Sequence, residues 1–81
     1  MFTEKKKSLT RMRAGESGVV VEIQGGMGAF RRLEAMGVRI GKKITKTSEA
    51  FMWGPVTVRV GGAQIGIGYG MASKILVEVH K

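Results

Sequence analysis

Eighty-one residues without a cysteine make one small domain and exclude both a disulfide framework and a thiolate metal site. A net charge of +8 implies attraction to something acidic, whether nucleic acid, an anionic membrane face or an acidic protein. No apolar run approaches the ~20 residues of a membrane span, and no apolar stretch of signal-peptide type follows the N-terminal lysines, so the chain reads as cytoplasmic, without direct membrane insertion.

Residues 1–8 read as a flexible basic tail in which Lys5, Lys6 and Lys7 crowd together, with Arg11 and Arg13 close behind. Residues 9–81 read as the folded domain. Leu9 to Gly15 is a lead-in segment with Leu9 and Met12 as apolar anchors, and Glu16-Ser17-Gly18 is a turn. In the strand that follows, Val19, Val21 and Ile23 share one face, with Val20 and Glu22 on the other. Gly25-Gly26 ends it. A helix of eight or nine residues comes next, its apolar stripe made by Phe30, Leu33 and Met36 with Ala29 four before Leu33. It lacks a good N-cap and is stopped by Gly37, placed as the left-handed C′ residue. So short a helix must be packed on a sheet to persist.

Lys42 to Ser48 is polar and β-prone, with Ile40 and Ile44 on one side. Phe51-Met52-Trp53 precedes the turn signal Gly54-Pro55. Val56, Val58 and Val60 alternate with Thr57 and Arg59 in the cleanest strand of the chain. Gly61-Gly62 is a two-residue hairpin loop, and Ala63, Ile65 and Ile67 share one face of the returning strand. Gly66 and Gly68 predict a close backbone approach or a bulge there. Tyr69 to Lys74 is a single helical or 3₁₀ turn, and Ile75, Val77 and Val79 form the last strand. About five strands, one short helix after the first and a helical turn before the last predict a mainly β, small SH3-like barrel. An OB-fold is the rival, but its helix follows the third strand.

Catalysis needs convergent polar groups, and few are present. The only histidine is His80, the carboxylates are six scattered glutamates, and no Asp exists. No serine has a base near it in sequence. We therefore predict no enzyme, no catalytic residues, no cofactor and no dedicated metal site; Glu78 and His80 could hold only an adventitious ion. Gly25-Gly26-Met27-Gly28 lacks the pattern of a phosphate-binding loop.

Three features could bind a partner. Phe51-Met52-Trp53 breaks strand alternation, so at least one of the three must leave the core and could anchor a partner. Arg31, Arg32, Arg39, Lys42, Lys43 and Lys46 form a basic surface suited to an acidic partner, phosphate or lipid headgroups. Tyr69, in the glycine-rich return Gly66-Ile67-Gly68-Tyr69-Gly70, could line a groove. The candidate partner-binding residues are thus Phe51, Met52, Trp53, Arg31, Arg32, Lys43 and Tyr69. A second copy of the chain is a further candidate partner. Nucleic acid is the weaker alternative, because stacking aromatics are not interleaved with the cations.

Five segments in order carry a family resemblance. They are Gly15 to Ile23 as G-x-x-G-x-V-x-x-I, Arg32 to Gly37 as R-L-x-x-[ML]-G, Gly41-Lys42-Lys43-Ile44, Gly54-Pro55-Val56-Thr57-Val58, and Ala72 to Val77 as A-x-x-I-x-V. From about Leu9 to Val79 the chain resembles the FeoA family (ferrous iron transport protein A). It departs at Ile40, where many members have proline, and at Gly68-Tyr69-Gly70, where a more basic stretch is usual. The resemblance implies an SH3-like barrel that assists the membrane permease FeoB from the cytosol in ferrous iron uptake and iron homeostasis, through protein–protein interaction. It supplies no catalytic residue and does not imply that the chain carries iron, although transition-metal binding is attached to the family. A similar domain ends metalloregulators of the diphtheria-toxin-repressor type, but no DNA-binding helix-turn-helix is present here. A small basic RNA-binding barrel is the alternative function.

Overall fold

The computed structural model describes residues 5–48 and 54–79. Among these, six strands form one antiparallel sheet: β1 (Lys5–Ser8), β2 (Ser17–Ile23), β3 (Lys43–Ser48), β4 (Val56–Val60), β5 (Ala63–Ile67) and β6 (Ile75–Val79). Their order is β1-β6-β2-β3-β4-β5. A 3₁₀ turn (Leu9–Arg11) follows β1, helix α1 (Gly26–Ala35) follows β2, and the short helix α2 (Tyr69–Ala72) precedes β6. Strands β2 to β6 and both helices contribute to a single apolar core, so the sheet curls around it. This is the SH3-like arrangement the element count predicts, with one strand more than five. The addition is β1. The sequence places its four residues in a basic tail; the structure pairs them with β6, Lys5 opposite Val79 and Ser8 opposite Leu76.

Alternation explains most of the core. Val56, Val58 and Val60 on β4, and Ile75, Val77 and Val79 on β6, are buried at every second position. The β4–β5 hairpin turns on Gly61-Gly62, with Val60 opposite Ala63 and Gly61 at φ +63°. Leu9 and Met12 are fully buried anchors, as expected. In β2 the expected phase is overturned. Gly18 and Val20 face the core, because the register with β6 shifts between Val20 and Glu22. The extra residue of this bulge lets both Val20 and Ile23 point inward although they are three apart. Gly18 is also where β2 meets β6 most tightly. A Cβ there would collide with the Glu78 carbonyl and lie 2.6 Å from the Val77 side chain.

Helix α1 ends in a Schellman motif. The Gly37 N–H donates to the Glu34 carbonyl at 3.0 Å and the Val38 N–H to the Leu33 carbonyl at 2.9 Å, with Gly37 at φ +93°. The buried line of the helix is Ala29 and Leu33, extended past its end by the fully buried Val38. Phe30 is only half-buried and Met36 is exposed, so the expected stripe of Phe30, Leu33 and Met36 is corrected. Met36 is the C-cap residue, and Val38 takes the apolar place beyond the left-handed turn. Ile40 is 55% exposed whereas Ile44 is buried, because the turn at Gly41 (φ +92°) separates them. Gly66 and Gly68 mark no close approach: a Cβ on Gly66 would lie 4.0 Å from Pro55, and one on Gly68 would meet nothing within 4 Å.

Candidate functional site

Two basic surfaces stand out. The first joins the outer side of α1 to the start of β3. Arg31 and Arg32 project from the helix, Arg39 and Lys42 from the turn after it, and Lys43 from the first position of β3; all five side chains are exposed. None forms an ion pair with a described residue. The helix phase explains Arg31 and Arg32, since burial of Ala29 and Leu33 turns them outward.

Lys46, grouped with these cations by charge, does not belong to that surface. It is 1% exposed. Its position two residues after the buried Ile44 puts it on the inward face of β3, opposite the buried Val58. The ammonium donates to the Met12 carbonyl at 2.6 Å and to the Thr10 carbonyl at 3.3 Å. The Lys46 backbone adds two bonds to the same segment: its N–H donates to the Glu16 carbonyl at 2.9 Å, and its carbonyl accepts from the Gly15 N–H at 2.6 Å. A buried charge is tolerated only with such partners. Here they fix the stretch from Thr10 to Glu16 against β3.

That stretch builds the second surface. Lys6, Lys7 and Ser8 of β1, Arg11 and Arg13 of the following loop, and Leu76 of β6 line an open groove. The Thr10 and Met12 carbonyls turn inward toward Lys46, and the alternate residues Arg11 and Arg13 are exposed. Lys7 is compensated: its ammonium lies 3.3 Å from Glu16 Oε1. Glu16 also accepts from the Arg13 N–H at 2.8 Å, and this backbone bond, aided by Lys7, holds its carboxyl below the usual carboxylate range. The side chains of Lys6, Arg11 and Arg13 have no ion pair or hydrogen bond with a described residue. The sequence shows these cations but not the groove, because polar edge strands carry no hydrophobic alternation to betray them.

Tyr69 is half-buried at the first position of α2, and it lines neither basic surface. Phe51, Met52 and Trp53 lie outside the described residues, as does His80. Among the described residues no group of three or more His, Cys, Asp or Glu side chains could hold a metal ion. No helix among them is long and apolar enough to cross a membrane.

A small SH3-like β domain with exposed basic surfaces is thus the class the structure defines. Residues 7–79 match the FeoA domain family. A Methanocaldococcus jannaschii protein named Fe(2+) transport protein A is 41% identical over 66 residues, which cover 82% of this chain and 78% of that one. The chain belongs to the FeoA family. Among solved structures, an iron uptake regulatory protein (FeoA) superposes with a TM-score of 0.87 at 33% identity, covering 93% of this chain and 99% of that one. A FeoA-like protein from Clostridium acetobutylicum gives a TM-score of 0.81 at 27% identity, over 93% of this chain and 87% of the other. A manganese-dependent transcriptional repressor also matches, with a TM-score of 0.85 over 95% of this chain and 43% of the repressor. At 20% identity that likeness shows the fold alone.

Proposed function

We propose that this chain is a cytoplasmic accessory protein of ferrous iron uptake that acts by docking on the cytosolic parts of a FeoB-type permease. The observation that carries this reading is the family match over residues 7–79. The chemistry of the surface fits it. Five exposed cations on α1 and the turn into β3, without acidic partners among the described residues, suit an acidic protein face and electrostatic steering toward it. Phe51-Met52-Trp53 is the second contact proposed, from its sequence: large apolar residues ahead of Gly54-Pro55 are good anchors at an interface. The chain works by binding and performs no chemistry of its own.

Ferrous iron uptake by cells lacking the gene for this chain tests the proposal. Uptake should fall and be restored by the intact chain. It should be restored poorly by Arg31→Glu/Lys43→Glu, a variant that removes surface charge without touching the core. Undiminished uptake in the deletion strain would overturn the reading.

A further inference from the structure

We propose that the groove along β1 is a docking site for an extended acidic peptide segment, which adds to the sheet as a strand beside β1. This goes beyond the permease reading and does not depend on it.

Two independent observations meet in the groove. The first is a free sheet edge. β1 is terminal in the strand order, and among the described residues it pairs only with β6. Every second residue of such an edge points its N–H and C=O away from the sheet, ready to receive another strand. The second is an excess of positive charge. Lys6, Arg11 and Arg13 line the groove and none of them forms an ion pair among the described residues. The carboxylates beside them are Glu78, opposite Lys6 on β6, and Glu16, already engaged by the Arg13 N–H and by Lys7. Lysines on an edge deter neutral and basic strands. They favour a strand whose alternate side chains are carboxylates.

The groove is also built, which separates it from a run of solvated charge. The loop that presents Arg11 and Arg13 is tied from beneath by the buried Lys46 ammonium through the Thr10 and Met12 carbonyls. The Ser8 and Thr10 hydroxyls are 2.8 Å apart and brace the turn where β1 ends. Rigid presentation lowers the ordering cost of binding. Among the described residues no aromatic side chain lines the groove, so they offer no platform for unstacked bases. That favours a peptide over single-stranded RNA.

The test uses the full chain and a synthetic peptide of alternating Glu and Thr, with a second peptide of the same sequence N-methylated at alternate residues. The expected result at low salt is saturable binding of the first peptide, with protection of β1 amides from hydrogen exchange. Arg11→Glu/Arg13→Glu should weaken it roughly tenfold or more. Arg59→Glu/Lys74→Glu, which changes net charge equally on other surfaces, should leave it near the parent value. N-methylation should weaken it similarly to the groove variant, because it removes main-chain donors without removing charge. Equal binding of both peptides, or equal loss in both double variants, would overturn the proposal in favour of a diffuse polyanion patch. So would a groove-dependent affinity for phosphatidylserine vesicles or an RNA oligonucleotide with none for the peptide.

Discussion

The Lys46 ammonium donates to the Met12 carbonyl at 2.6 Å from inside the fold. One of the most basic-looking positions of the chain is therefore a buried clamp between β3 and the loop after β1. Its alkyl stem fills core space while its head satisfies main-chain acceptors. Lys46→Met keeps the stem and leaves the carbonyls of Met12 and Thr10 without this donor. It should destabilise by about 1–3 kcal/mol. Lys43→Met, three residues earlier on the exposed side of the same strand, should stay within about 0.5 kcal/mol. Urea melts of the two variants decide the matter; equal small losses would mean that Lys46 is solvated.

Gly18 and Gly66 offer a second contrast. Both sit in strands, yet only Gly18 has backbone and a packed valine in the space of a side chain. Gly18→Ala should cost about 1–3 kcal/mol or more through overpacking, since the Glu78 carbonyl cannot rotate away. Gly66→Ala should be neutral or slightly stabilising, because the nearest atom is 4.0 Å off and the unfolded chain loses freedom. Thermal melts of both test the β2–β6 approach directly.

Leu33 and Met36 look equivalent in the helical period, but their exposures are 0% and 36%. Leu33→Ala should cost about 2–4 kcal/mol by leaving a cavity. Met36→Ala and Arg32→Ala should each cost far less. Similar losses for Leu33→Ala and Met36→Ala in urea would restore the three-residue stripe expected from sequence.

Glu16 predicts a pH effect. Its carboxyl is held below the ordinary range chiefly by the Arg13 N–H; burial opposes this, and Lys7 and the Arg13 charge add further lowering. A depressed carboxylate contributes stability that is fully present above its unfolded pKa and is lost as pH falls through the folded value. The urea midpoint should therefore decline as pH falls below the ordinary glutamate range, and Glu16→Gln should flatten that decline. A decline of the same size in Glu16→Gln would assign the effect to another carboxylate.

Much of the fold is legible in the sequence where one rule acts alone. Val56, Val58 and Val60 give a strand, Gly61-Gly62 a hairpin, and Gly37 a helix stop. Errors arise where a second rule intervenes. The β2 phase fails because the bulge between Val20 and Glu22 resets the alternation. Lys46 misleads because its charge outweighs its place two residues from Ile44, although period two alone puts it inside. Val38 could have been found, since a Schellman turn calls for an apolar residue at C″. β1 could not, because Lys5-Lys6-Lys7-Ser8 has no apolar pattern and takes its strand form through pairing with β6. The basic surface on α1 and β3 is visible as charge, and the groove needs the strand that makes it.

The proposed function requires docking on a FeoB-type permease. It is tested most directly by titrating the purified chain against that permease in nanodiscs at two salt concentrations. Saturable binding is expected, weakening as salt screens the basic surface. A marked loss is expected with Arg31→Glu/Lys43→Glu and with Met52→Lys. Absence of saturable binding at either salt concentration, with the intact chain folded, would contradict it.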